Sequence, residues 1–338
     1  MEYFFLSKLS ENYIKQIGVL FNQIEFSSIE QYPGFAEIAY PNEKTIHSIM
    51  LSNNEIVGYA QIKIKKNLLA IIYFGPIVKS ENDFVVFIKE IKIYCKKKFI
   101  PLLKIFPPRY TKEYSPSFWK KLKDETDFEV SDSGFNWSTL LLPINLSDEE
   151  ILKNFSENHQ RSIKKAIKTG LKSRLIKQED IGVYNQQYCE MYASRGIKIN
   201  PIDNFKKVSG MFRFFENNHT GFFMGVWQEN QLIGGLCISF GTNVAFYSEG
   251  YSHPDFREFP ISHLAFYESM KFARDKGVSY FDFGGYAINT KEGEQLFQIN
   301  RFKDGFKGEL IHYSKTMIFY TSLAAKWIYK LILFIRKQ

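Results

Sequence analysis

"NNEIVGYAQIKI", Asn53 to Ile64, and "ENQLIGGLCISF", Glu229 to Phe240, read alike: a polar turn, then an alternating, half-buried strand. A strand-like run precedes each, "SIML" and "FFMGVW", and another follows, "NLLAIIYFGPIV" from Asn67 and "NVAFYSEGYSHP" from Asn243. Gly58 and Asn67 recur as Gly234 and Asn243, each 176 residues later. Helical patterns come next, "DFVVFIKEIKIYCKKK" and "ISHLAFYESMKFARDKG", then short apolar strands, "PLLKIF" and "SYFDFGG". A constant offset carrying the same elements in the same order predicts a duplicated domain.

Each unit reads β-β-β-α-β with helices before its first strand, an α+β plan built on a mostly antiparallel sheet. That order matches the GNAT acyltransferase fold, so two tandem GNAT-like domains are expected. "LSDEEILKNF" marks the join: Ser147 and Glu150 have capping-box spacing ahead of an apolar-periodic helix. The first domain is placed at residues 1–145 and the second at 146–315.

The 338 residues, 45% hydrophobic and 24% charged, suffice for two domains with full cores. A net charge of +8 suits an anionic partner such as nucleic acid, nucleotide-sugar or lipid surface. Cys95, Cys189 and Cys237 are scattered, which fits a reducing cytoplasm better than a disulfide framework. The N-terminus has no basic stretch leading into an apolar run, so no signal peptide is expected. At the other end, Lys326 and Lys330 interrupt "MIFYTSLAAKWIYKLILFI", which is expected to be helical over 316–338. That helix either docks on the core or lies at the inner membrane surface, with Trp327, Tyr329, Arg336 and Lys337 at the headgroups.

No H-E-x-x-H, G-x-S-x-G or Walker loop occurs, and the six histidines are isolated, so no metal site is expected. His159, His253 and His263 read as surface or capping residues. In acyl-CoA-dependent GNAT enzymes a glycine-rich loop cradles the pyrophosphate at a helix N-terminus. The equivalent loop, "DFREFPISH", has Pro260 and Ser262 where glycines are needed. Two basic elements point elsewhere. "NHQRSIKKAIKTGLKSR" sets Arg161, Lys164 and Lys168 on one helical face, and "NRFKDGFKG" sets Arg301, Lys303 and Lys307 among rings and glycines. Together they suggest a polyanion surface.

The chain resembles the FemABX group, tandem-GNAT transferases that move an amino acid from aminoacyl-tRNA onto a peptidoglycan precursor. "GYAQIKIKK…IIYFGPIV", the entry into the basic helix, and "YFDFGG…INRFKDGFKGE" carry the resemblance over nearly the whole length. It implies that Phe302, Arg301 and Lys307 meet the acceptor end of the tRNA, with Lys303 stabilising the oxyanion and the departing ribose oxygen. It further implies that Arg195 binds acceptor phosphate, with Tyr247 and Tyr251 beside it, and that the final helix packs on the first domain. The lysine usual near the family's first-domain entry is missing from "YPGFAEIAY"; the nearest is Lys44. Glu249, Asp255 and Asp282 are carboxylates to weigh as base.

The expectation is thus a cytoplasmic, membrane-peripheral aminoacyltransferase without a bound cofactor. It would take aminoacyl-tRNA as co-substrate and form an amide on a nucleotide-linked or lipid-linked cell-envelope precursor. An N-acyltransferase using acyl-CoA or an acyl carrier on a nucleotide-linked amino sugar is the alternative enzyme. An inactive module that binds RNA or membrane is the non-enzymatic one.

Overall fold

A computed structural model describes residues 1–109, 115–131, 138–313 and 315–335. The chain opens with β1 (Glu2–Leu6), α1 (Glu11–Gln23) and the short α2 (Phe35–Ala39). β2 (Lys44–Ser52) and β3 (Glu55–Lys65) form the first diagnostic hairpin. Asn53 and Asn54 both adopt left-handed φ there, as a two-residue hairpin turn requires. β4 (Leu69–Ile72), β5 (Ile77–Val78), α3 (Glu81–Lys97), β6 (Leu102–Ile105), α4 (Pro116–Thr126) and β7 (Glu129–Ser131) follow.

The second half runs β8 (Ser138–Pro143), α5 (Asp148–Asn154), α6 (Glu157–Lys168), β9 (Lys172–Leu175), α7 (Ile181–Ser194) and α8 (Pro201–Asn218). It continues through β10 (Gly221–Gln228), β11 (Gln231–Phe240), β12 (Val244–Ser252), α9 (Ile261–Asp275), β13 (Tyr280–Asp282), α10 (Gln295–Asp304) and β14 (Glu309–His312). β15 (Thr316–Tyr320) and α11 (Leu323–Ile335) end it.

The strands form two sheets. The order β2-β3-β4-β6 in the first is repeated as β10-β11-β12-β13 in the second, with β1 and β9 at the corresponding edges. In both, the third strand pairs in parallel with the strand that follows the main helix. Buried residues of α3 such as Phe87, Ile88 and Ile91 cover the first sheet, and those of α9 such as Leu264, Phe266 and Met270 cover the second. The chain therefore holds two tandem GNAT-like domains.

The repeats exchange their final strands. β7 and β8 correspond to β14 and β15, yet β8 pairs with β13 and β14 in the second sheet, and β15 pairs with β6 and β7 in the first. The compact units are accordingly Met1–Phe135 with Tyr313–Gln338, and Asn136–His312. The capping box at Ser147 is real, its hydroxyl and the Glu150 carboxylate bonding reciprocally, but β8 precedes it and already belongs to the second sheet.

The C-terminal reading needs a correction. A helix was expected over 316–338, but Thr316–Tyr320 is a strand with partners on both edges. Met317, Ile318 and Phe319 are buried, the continuous apolar run of a strand covered on both faces, which periodicity alone does not separate from a helix. The helix starts at Leu323, after Ser322 accepts from the Ala325 N–H. Arg336 and Lys337 lie outside the described residues.

Candidate active site

β12 and β13 pair only over Val244–Phe246 and then part, with the Gly284 turn against Tyr247 just beyond. The register between β11 and β12 slips by one residue near Ser248, a bulge that bends β12 there. β13 ends in the "FDFGG" turn. Asp282, fully buried, accepts from Thr139 Oγ1 at 2.5 Å and from the Gly284 N–H at 2.6 Å. Gly284 has φ of 69°, and a Cβ on it would stand 3.0 Å from the Tyr247 carbonyl oxygen. Both the conformation and the space demand glycine.

"FDFGG" precedes "NRFKDGFKG" because the second docks on the first. α10 aims Lys303 at the turn, where its ammonium donates to Gly284 O at 3.1 Å and Gly285 O at 2.7 Å. Lys303 is only 6% exposed, and this burial pulls its pKa down to about 8, with Asp282 opposing the drop. Phe302, next on the helix, packs with Phe266, Phe306, His159 and His263.

His159 corrects its own sequence reading. It is buried, and its Nε2–H donates to Phe302 O at 2.8 Å while its ring meets Phe306. Gly305 makes room: a Cβ there would fall 2.0 Å from His159 Cε1. Burial lowers the pKa of both His159 and His263, the latter to about 4, so at neutral pH the pair is uncharged. His253 does cap, taking the Asp255 N–H on Nδ1.

A cleft of about 490 Å³ opens at the start of α9. Phe302 and His263 form one part of its wall, and Arg195, Lys165 and Arg257 bring positive charge to it. Arg195 ends α7, and Lys165 lies on α6. The Ser262 and His263 N–H groups at the start of α9 show no partner among the described residues, whereas the donors just before them are engaged or missing. Phe259 N–H bonds to Phe256 O, Ile261 N–H bonds to Phe259 O, and Pro260 between them has none.

Of the residues expected from sequence, Arg195 and Phe302 come together on this cleft. Lys303 sits behind Phe302 on the glycine turn. Arg301 and Lys307 are exposed, as are Arg161, Lys164 and Lys168 on α6. Tyr247 is half-buried near the Gly284 turn. Tyr251 is 4% exposed, donates to Gln187 Oε1 at 2.9 Å and packs on Tyr184, a commitment to the core that leaves it no surface to offer. Glu249 pairs with Lys207 at 2.8 Å. Lys165, Arg257 and His263 were missed. The last two lie in the loop scanned for glycines, so the signal was its charge rather than its missing glycines.

No family model matches the chain. Over 71 residues, 21% of the chain, it is 34% identical to a lipid II:glycine glycyltransferase of Staphylococcus haemolyticus. Over 75 residues it is 32% identical to that of Staphylococcus epidermidis. The matched stretches span 17% and 18% of those relatives' lengths. The crystal structure of FemX superposes with a TM-score of 0.82 at 16% identity, covering 98% of this chain and all of that one. The chain shares the fold of FemX. A tandem GNAT protein from the clavulanic acid pathway shares the fold more distantly, with a TM-score of 0.58 at 11% identity, over 95% of this chain and 99% of that one. These likenesses show the fold; what this chain does with it rests on its own cleft.

Proposed function

We propose that the chain is an aminoacyltransferase that moves an aminoacyl group from aminoacyl-tRNA to an amino group of a cell-envelope precursor, lipid-linked or nucleotide-linked. The observation that carries this reading is the cleft at α9. It combines an aromatic wall with three cations, a combination suited to a large anionic donor held by side chains. The named function of the staphylococcal relatives favours the same acceptor class.

In this scheme the acceptor amine attacks the ester carbonyl. A C–N bond forms, the C–O bond to the ribose breaks, and the proton lost by the amine reaches the departing oxygen. Two of the three Lys303 ammonium hydrogens go to Gly284 O and Gly285 O; we assign the third to the developing oxyanion. Phe302 packs against the terminal nucleoside, and Arg301, Lys307 and the α6 cations Arg161, Lys164 and Lys168 follow the tRNA backbone. Arg195 orients the acceptor phosphate. With Glu249 bound to Lys207 and Asp282 spent on its turn, neither is free to act as base.

The test is incubation of the purified chain with pools of charged tRNA and each precursor, with products read by mass. An aminoacylated precursor is expected. Transfer from acyl-CoA or an acyl carrier, with none from any aminoacyl-tRNA, would overturn the proposal.

A further inference from the structure

α11 in the first unit ties two lysines to the sheet and leaves four large apolar side chains in solvent. Lys326 and Lys330, four residues apart on one face, reach Glu129 of β7 at 2.6 and 3.5 Å. Tyr329 rests against Tyr320 on the same side. These contacts set the rotation of the helix. The stripe they leave facing solvent is Leu323, Trp327, Ile328 and Leu331, exposed by 74, 73, 60 and 59%. A helix that merely covers a core shows the reverse polarity.

A second, independent feature adjoins it. Thr321, two residues before α11, donates its N–H to Pro101 O and its hydroxyl to Ile100 O, each at 3.1 Å. This ties the start of the helix to the turn after α3. Phe99, at the tip of that turn, is 90% exposed with φ of 55°, and the three residues before it are the exposed Lys96, Lys97 and Lys98. An outward ring behind three cations thus flanks an outward apolar stripe centred on a tryptophan.

Protein partners seldom suit such a surface, because lysine is depleted where proteins bury one another. Tryptophan, leucine and lysine occur together where a protein lies on lipid. α11 has 13 residues, and no helix among the described residues is long and apolar enough to cross a membrane. A helix in the plane of the interface is the remaining geometry.

We infer that this face of the first unit docks on an anionic bilayer surface. Leu323, Trp327, Ile328, Leu331 and Phe99 enter the headgroup–acyl boundary, and Lys96, Lys97 and Lys98 meet the lipid phosphates. The surface is separate from the second unit's cleft, so the inference stands or falls independently of the transfer reaction. Where both hold, docking brings the chain to lipid-linked acceptors.

Flotation of the full chain with vesicles of phosphatidylglycerol and phosphatidylcholine, compared with phosphatidylcholine alone, tests it. The chain should partition onto the anionic vesicles. Trp327→Glu should weaken this at least tenfold, and Phe99→Ala several-fold. Replacing Lys96, Lys97 and Lys98 together by Gln should weaken it by roughly a hundredfold, at about fivefold per cation. All these side chains are exposed, so melting curves should match wild type. Trp327 should also report directly, through quenching by brominated lipid that Trp327→Phe abolishes. Failure of the wild-type chain to float, or unchanged flotation of all three variants, overturns the inference. So does a dimer in solution that Trp327→Glu dissociates, since a second copy would then cover the face.

Discussion

Replacing Lys303 with methionine separates a catalytic cation from a structural one. The pKa drop from 10.5 to about 8 means the folded site disfavours the charged form by on the order of 3 kcal/mol. Methionine keeps most of the side chain's length and removes that penalty. It also removes two hydrogen bonds, but Gly284 O keeps the Thr139 hydroxyl at 3.2 Å and the exposed Gly285 can turn to water, so the loss is about 1 kcal/mol. At pH 7 the variant should therefore be at least as stable as wild type in urea unfolding. The pH dependence has a definite sign. Below pH 8 folded and unfolded chains both hold the Lys303 proton. Between pH 8 and 10.5 the unfolded chain holds more protons, so wild type gains stability as pH rises and the advantage of the variant shrinks. Catalysis should move the other way. Loss of a donor to the oxyanion predicts roughly a hundredfold fall in kcat for Lys303→Met, and kcat of wild type should decline as pH rises through about 8. Single-turnover transfer with preloaded donor, from mildly acidic to mildly alkaline pH, measures both. A variant turning over at wild-type rate would refute the role, and a wild-type rate that climbs through pH 8 would make Lys303 a base. A variant destabilised by more than about 2 kcal/mol would show a structural pin.

Arg195→Ala should raise the acceptor's apparent KM by about tenfold or more with little change in kcat, since a charge-assisted ground-state contact is lost; a pure kcat defect would move Arg195 off the acceptor. Gly305→Ala should cost about 1–3 kcal/mol by pushing His159 from its seat, and His159→Ala in the same chain should recover part of it; additive losses in denaturant melts would deny the contact. Gly284→Ala meets both a left-handed φ and the Tyr247 carbonyl, so a stability loss of about 1–2 kcal/mol with weakened transfer is expected; wild-type behaviour in both assays would mean the turn is not the anchor described for Lys303.

The sequence by itself determined the duplication. Period-two alternation around Asn53–Ile64 and Glu229–Phe240, set at a constant offset, is local information: hairpins are made by neighbours in the chain, and both appear where the pattern put them. The tie between "FDFGG" and the lysine cassette was also partly legible, because glycines at a tight turn and a lone lysine among rings are unusual residue choices. Three things were decided only in three dimensions. The exchange of β8 and β15 leaves no mark on either strand, since an apolar strand pairs equally well with either sheet's edge, and which edge it meets depends on chain path. The burial of Lys303 and His159 depends on α6, α10 and the glycine turn meeting across more than a hundred residues of sequence. The outward apolar face of α11 depends on Glu129, nearly two hundred residues earlier, which pairs with Lys326 and Lys330 and so fixes the helix's rotation. Periodicity says that a helix has two faces; only its ion-pair partner says which of them is left to meet something else.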